Sequence, residues 1–243
     1  MNLTIDLGNT HIKYALFDKD KMVDFHFLDY TIPPDIEKLI TEKNIRNSIV
    51  SSVINDWPAF LKVLIDKTNC IRLSHNTKTP VKNLYQTPET LGKDRLAAVI
   101  GAQKIFPGKN ILVIDAGTCI KYDFLNSKGE YHGGAISPGI KMRFKALNHF
   151  TDKLPLLEVD HAFETLTGKN STESILSGVI NGVLFEAEGA IALYKKQYPD
   201  LEVVVTGGDI AFFEKRLKTG IFADPYLILK GLNEILQYSF PKK

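Results

Sequence analysis

Cysteine is scarce. Cys70 and Cys119 are the only two in 243 residues, and neither has a Cys or His neighbour at metal-ligand spacing, which argues against a zinc site and a disulfide framework. They read as two buried thiols in a reducing compartment. An excess of one charge is also missing: 30 basic residues nearly balance 28 acidic ones. No basic run gathers, so the electrostatic footprint of a nucleic-acid binder is absent. The start, Met1-Asn2-Leu3-Thr4-Ile5-Asp6, reaches a carboxylate before a signal-peptide core forms, and no later apolar run approaches the roughly 18 residues of a membrane span. A cytoplasmic protein with no membrane partner is expected. There is no GxxxxGK[ST], which excludes a P-loop, and no G-x-G-x-x-G follows a strand, which removes the usual dinucleotide fingerprint. Low-complexity tracts are absent too, and 44% apolar with 24% charged residues suits a folded globule.

What is present is a chain written twice. Ile5-Asp6-Leu7-Gly8-Asn9-Thr10-His11-Ile12-Lys13-Tyr14 lines up with Ile114-Asp115-Ala116-Gly117-Thr118-Cys119-Ile120-Lys121-Tyr122 once Asn9 is skipped. Shared I-D-x-G-T-x-I-K-Y reads as an internal duplication with a domain-sized period, although two hairpins can converge on part of it. In the first copy, Leu3 to Leu7, Ile12 to Phe17 and Met22 to Leu28 are short β-rich runs joined by turn residues. Helical spacing follows over 35–42, a buried strand over 49–53, and a helix over 57–67 with Phe60, Leu61, Leu64 and Ile65 on one face. Trp57 there is assigned to core packing. A polar, turn-rich stretch from Ser74 to Gly92 precedes a helix over 94–106.

The second copy repeats the three-strand opening over 111–115, 120–125 and 131–136. It then carries helical patterns over 139–150 and 172–197, a strand over 202–206, and closing helices over 211–217 and 227–238. Gly178, Gly182 and Gly189 recur at intervals suited to close packing. The expected fold is α/β: two duplicated lobes, 1–108 and 109–243, each a mixed β-sheet with flanking helices, around a central nucleotide cleft.

A D-x-G turn lets backbone N–H groups approach a phosphate without a Cβ in the way, and Thr adds a hydroxyl. One such turn is also ordinary hairpin punctuation. Two related by a pseudo-twofold axis can grip a polyphosphate from both sides, with Asp6 and Asp115 placed for a cation that bridges the phosphates through water. Lys13 either brings a point charge to the β- or γ-phosphate or is a solvated surface lysine. Thr206-Gly207-Gly208-Asp209 is either a plain strand-to-helix turn or a flat resting place for adenine. Gly133-Gly134 marks close backbone approach to a substrate or a bulge.

Doubled hairpins of this kind resemble the superfamily of acetate and sugar kinases, heat-shock chaperone ATPases and actin, whose lobes are ribonuclease-H-like. Within it the chain is similar to the type III pantothenate kinases over essentially its whole length. The likeness rests on an ordered set: Asp6-Leu7-Gly8-Asn9-Thr10 with Lys13, Tyr85 with Gly92-Lys93-Asp94-Arg95, and Asp115-Ala116-Gly117-Thr118. Gly133 to Gly139, Thr151 with Leu154-Pro155, Ser171 to Ile175 with Gly178, and Thr206-Gly207-Gly208 complete it.

The resemblance implies transfer of the ATP γ-phosphoryl group to the primary hydroxyl of pantothenate, the opening step of coenzyme A biosynthesis. It implies that Asp6, Leu7, Gly8, Asn9, Thr10, His11, Ile12, Lys13 and Thr118 contact ATP, joined by Gly207 and Gly208 at the adenosine. Tyr85, Gly92, Lys93, Asp94, Arg95 and Thr172 would form the pantothenate site, with Asp94 the base for the hydroxyl proton. Arg95 would meet either transferring phosphate oxygens or the substrate carboxylate. Mg2+ would accompany ATP near Asp6, Asp115 would hold a monovalent cation, K+ or NH4+, and the enzyme would be a homodimer. The alternatives are a sugar or carboxylate kinase of the same superfamily and a non-catalytic nucleotide-binding regulator.

Overall fold

The computed structural model describes residues 1–8, 11–29, 35–52 and 60–240. Asn9, Thr10, Val53 and Trp57 lie outside these residues. The chain divides into two compact units, one of Met1–Gly108 with Leu125–His132 and Tyr226–Lys243, the other of Lys109–Phe124 with Gly133–Pro225.

The first unit is built on a sheet of β1 (Asn2–Leu7), β2 (His11–Asp18), β3 (Lys21–Asp29), β4 (Asn47–Ser52) and β5 (Asn69–Arg72) in the order β3-β2-β1-β4-β5. Alternation sorts the strand side chains: Leu3, Ile5, Leu7, Ile12, Tyr14, Leu16 and Val50 bury one face. Helices α1 (Ile36–Lys43) and α2 (Phe60–Lys67) cover that face with Ile36, Ile40, Leu61 and Leu64. Ile65, expected on the same helix face, is exposed instead, because an eight-residue helix buries a single narrow stripe. Asp35 caps α1, its carboxylate accepting from the Lys38 N–H at 3.0 Å.

The sheet's other face carries Asn2, Thr4, Asp6 and, in register with them on β4, Asn47, Ile49 and Ser51. Helices α3 (Lys93–Ile105) and α7 (Leu227–Ser239) belong to this unit, and α7 packs on β1 and β4. The two helices touch through backbone: a Cβ on Gly231 would stand 1.8 Å from the Ala97 carbonyl oxygen, and one on Gly101 would stand 2.4 Å from that of Leu227. Short β6 (Lys82–Asn83) pairs in parallel with the start of β9 (Glu130–Pro138) at Lys82↔Glu130 and Asn83↔Tyr131.

In the second unit β7 (Ile111–Ala116), β8 (Cys119–Leu125), β9, β10 (Glu202–Thr206) and β11 (Phe222–Ala223) run in the order β11-β10-β7-β8-β9. Every residue of β7 is buried, as a central strand requires. Helices α4 (Ile140–His149), α5 (Ser171–Gln197) and α6 (Ile210–Arg216) supply Phe144, Val179, Ile180, Val183, Ile191, Phe212 and Phe213 to its core. Asn170 and Glu173 cap α5 reciprocally: the Asn170 side chain accepts from the Glu173 N–H at 3.0 Å, and the Glu173 carboxylate accepts from the Lys169 N–H at 2.8 Å.

The repeat in the sequence is a repeat in the fold. Both copies open with a hairpin closed at its glycine: the Gly8 N–H donates to the His11 carbonyl at 3.1 Å, and the Gly117 N–H to the Cys119 carbonyl at 3.0 Å. The second closure spans one residue fewer, which accounts for the skipped Asn9. Cys70 and Cys119, expected to be buried, are half-buried free thiols. Helix α5 is long and apolar enough to cross a membrane by length and composition, which the run-length reading missed, yet half of that window is buried in the protein. Gly178, Gly182 and Gly189, expected to mediate close packing, each face open space.

Candidate active site

Three clusters carry the residues singled out by sequence. The first lies at the opening hairpin. Asp6, buried on β1, sits opposite Lys13 on β2 and beside Ser51 on β4. Lys13 in turn faces Phe27 on β3, and its ammonium lies 5.8 Å from that ring's centroid. One row of side chains therefore runs Phe27, Lys13, Asp6, Ser51 across four strands. The His11 ring lies 4.4 Å from Phe27, and its buried Nδ1 has no hydrogen-bond partner among the described residues. Ser51 Oγ is likewise buried without a partner. Two orphaned buried polar atoms, Ser51 Oγ beside the Asp6 carboxylate and His11 Nδ1 against Phe27, leave hydrogen-bonding capacity to fill. Leu7 and Ile12 point to the opposite, apolar face and are core residues, so they can offer a ligand backbone groups only.

The second cluster, also in the first unit, surrounds the start of α3. Gly92 is its N-cap, with no side-chain cap bond. Asp94 is therefore not the cap. Its carboxylate accepts from the Arg95 N–H at 2.9 Å and folds so close that a Cβ on Gly92 would lie 2.6 Å from Oδ1. Arg95 is buried and not a surface pair; its guanidinium carbon stands 5.5 Å from the Tyr85 ring centroid. Tyr85 stacks in turn on buried Tyr131, with centroids 6.3 Å apart. Tyr131 is a residue the sequence reading missed, and the pairing of β6 with β9 is what places it. Lys93 turns toward its own loop, donating to the carbonyls of Glu89 and Leu91 at 3.3 and 3.1 Å. Thr172 is not part of this cluster; it stands exposed in the first turn of α5, in the second unit.

The third cluster is the second hairpin. The turn 116–118 rests on backbone from two sides. The Gly139 N–H donates to the Thr118 carbonyl at 3.1 Å, and the Asp209 N–H to the Ala116 carbonyl at 3.0 Å. A Cβ on Gly139 would lie 2.2 Å from the Gly117 oxygen, and one on Gly207, whose φ is +100°, would lie 2.2 Å from the Ala116 oxygen. Gly208 next to it faces open space. Burial pushes the Asp209 carboxyl above its ordinary range, while His161 and Lys141 pull it back. Gly133 and Gly134 serve neighbouring backbone: Gly133 has φ +93°, and a Cβ on Gly134 would stand 1.6 Å from the Tyr122 oxygen. Buried Asp115 is ion-paired to Lys121 at 2.6 Å. Lys121 had a signal in the sequence, since the repeat aligns it with Lys13.

Behind this turn lies a network that the sequence did not announce. The Glu186 carboxylate on α5 accepts from the Tyr122 hydroxyl at 3.0 Å, the Ser137 hydroxyl at 2.9 Å and the Arg143 guanidinium at 2.5 Å. Arg143 also donates to the Pro138 carbonyl at 2.9 Å. One carboxylate thus ties β8, β9, α4 and α5 together just ahead of Gly139. Burial alone would raise the Glu186 pKa, but bonds from Arg143, Ser137 and Tyr122 hold it below the usual glutamate range. Burial and the Glu186 charge push the Tyr122 hydroxyl far above its ordinary value. Because the Glu186 carboxylate is favoured in the folded state, its contribution is present at neutral pH and fades as pH falls through the lowered pKa. Glu186→Gln is therefore expected to lower Tm by about 2–4 °C at pH 7, with the gap to the parent closing in acid, as read by thermal melts across pH.

Comparison with known proteins follows this geometry. A family model described as type III pantothenate kinase matches residues 2–193. The chain is 47% identical over 241 residues to a type III pantothenate kinase from Bacteroides fragilis, covering 98% of each protein. Its structure is similar to that of a protein described as a conserved Baf family transcriptional activator from Campylobacter jejuni (TM-score 0.61, 22% identical, 97% and 98% of the two chains). It is also similar to a ROK hexokinase from Thermus thermophilus (TM-score 0.57, 11% identical, 97% and 98%). These two likenesses show the fold, an α/β arrangement of duplicated actin-like lobes.

Proposed function

Because the chain belongs to the type III pantothenate kinase family, we propose that it transfers the γ-phosphoryl group of ATP to the primary hydroxyl of pantothenate in the cytoplasm, giving 4'-phosphopantothenate for coenzyme A biosynthesis. The observation that carries this reading is the cluster at the start of α3. A buried guanidinium stacked on Tyr85 stands next in sequence to the Asp94 carboxylate. Pantothenate offers a carboxylate and a primary hydroxyl, and such a pair suits both: Arg95 anchors the anion and Asp94 accepts the hydroxyl proton. Gly92 permits the tight approach of Asp94, and Lys93 stands beside it in the first turn of α3.

Asp6, Leu7, Gly8, Asn9, Thr10, His11, Ile12 and Lys13 contact the phosphates from the first unit. In the second unit, considered by itself, the Thr118 turn is suited to a phosphate and the Gly207-Gly208 turn to the adenosine. Phosphoryl transfer asks chiefly for alignment and charge neutralisation, which glycine-bearing backbone and lysine supply. Mg2+ fits the first hairpin: the Asp6 carboxylate and the partnerless Ser51 hydroxyl are suited to hold its hydration shell. When bound, it neutralises phosphate charge. The monovalent cation, K+ or NH4+, fits Asp115 poorly, because the Lys121 ammonium already stands there.

A homodimer is supported by α5. Gly178, Gly182, Phe185, Gly189 and Leu193 fall on one side at helical spacing, the glycines face open space, and Phe185 and Leu193 are 60% and 71% exposed. A second copy laid on this stripe would cover it. Phe185→Asp is accordingly expected to shift the protein from dimer to monomer in light scattering; an unchanged mass would move the interface elsewhere.

The function is tested by coupled ADP release from ATP with pantothenate, set against a panel of sugars and other hydroxylated acids. Turnover confined to pantothenate is expected. Activity on sugars alone would overturn the assignment.

A further inference from the structure

We infer that Lys121 serves as the chain's own monovalent cation: its ammonium, seated on Asp115, does the work of dissolved K+ or NH4+, so neither ion is required. The inference rests on the ATP-site reading of the second hairpin. Asp115 is the penultimate residue of β7, beside the turn 116–118. Its side chain is 10% exposed, that of Lys121 is 20% exposed, and the pair is 2.6 Å apart.

An alkylammonium carries the charge of NH4+ and the same N–H donors. Being tethered, it is present at an effective concentration that a dissolved ion must exceed before displacing it. Displacement would also strand the ammonium in a place with little solvent. The oxygens that a dissolved ion would recruit nearby are engaged as well. The carbonyls of Ala116, Thr118 and Cys119 accept the N–H groups of Asp209, Gly139 and Gly117 at 3.0, 3.1 and 3.0 Å. Among the described residues, no three His, Cys, Asp or Glu side chains gather into a metal site.

The repeat sharpens the argument. Lys13 stands at the same station opposite Asp6, yet its ammonium lies over the Phe27 ring. The duplicated lysine thus has two placements: in the first hairpin over an aromatic ring, in the second ion-paired to the aspartate where the cation would stand.

The test measures ATP affinity by calorimetry, thermal melting and pantothenate phosphorylation, with tetramethylammonium, Na+ or K+ as the sole monovalent cation. For the parent protein all three readouts are expected to agree within about twofold or a degree across the salts. Lys121→Met is expected to weaken ATP binding about tenfold or more in tetramethylammonium, to regain it in K+, and to acquire a K+-dependent rise in melting temperature. Lys121→Arg keeps the charge and is expected to stay indifferent to K+. A parent that needs K+ for ATP binding overturns the inference, whether or not the variants fold. So does a Lys121→Met protein that K+ fails to restore, which would make Lys121 a direct phosphate ligand. Affinity and melting are read without an acceptor, so failure to phosphorylate pantothenate in every salt would remove the substrate assignment and leave the Lys121 result standing.

Discussion

Asp94→Asn is expected to lower kcat by about a thousandfold while leaving ATP affinity within about twofold of the parent. The asparagine is isosteric, and its side-chain oxygen still accepts from the Arg95 N–H, as the Asp94 carboxylate does at 2.9 Å. The helix start and the seat of buried Arg95 are therefore retained, and what is removed is the capacity to take a proton. Steady-state kinetics and calorimetry with ATP separate these effects. A kcat near that of the parent would remove Asp94 as the base. A fall in melting temperature matching the loss of activity would make its role structural.

Gly207→Ala should damage both stability and nucleotide binding. The added Cβ would sit 2.2, 2.6 and 2.7 Å from the oxygen, carbon and nitrogen of Ala116, at a φ of +100°. Backbone cannot step aside as a flexible side chain can, so either the end of β10 or the second phosphate turn must move. The expected loss is about 3 kcal/mol, or roughly 6–12 °C in Tm, with ATP affinity reduced more than about tenfold because the displaced turn contains Thr118. Gly208→Ala is the control: its Cβ meets nothing within 4 Å. That variant should melt like the parent and lose only ATP affinity, through crowding of the adenosine. Equal melting losses in the two would mean that the contact with Ala116 is not what demands glycine.

The hairpins, the long helices and the duplication could be read from residues because each rests on local pattern: alternation along 2–7, an unbroken apolar run along 111–114, helical spacing along α5 and α7, and a repeated string. Strands β5, β6 and β11 escaped, since segments of four residues or two carry no period. The environment of the candidate site was harder to foresee. Ser51 comes to Asp6 through the register of two parallel strands, Tyr131 comes to Tyr85 through a two-residue pairing, and Glu186 collects Tyr122, Ser137 and Arg143 from three other elements. None of these meetings follows from spacing along the chain. The glycines of α5 misled for a related reason, because a sequence cannot tell a face packed within its own fold from one left open.

Helix α7 has a consequence for biogenesis. It is made after the whole second unit, yet it packs in the first, backbone against backbone with α3. On the ribosome, β1 and β4 of the amino-terminal half must wait for α7 to pack on them, which leaves a nascent intermediate for chaperones to shield. A stop codon just before Tyr226 would therefore do its harm at the opposite end of the polypeptide.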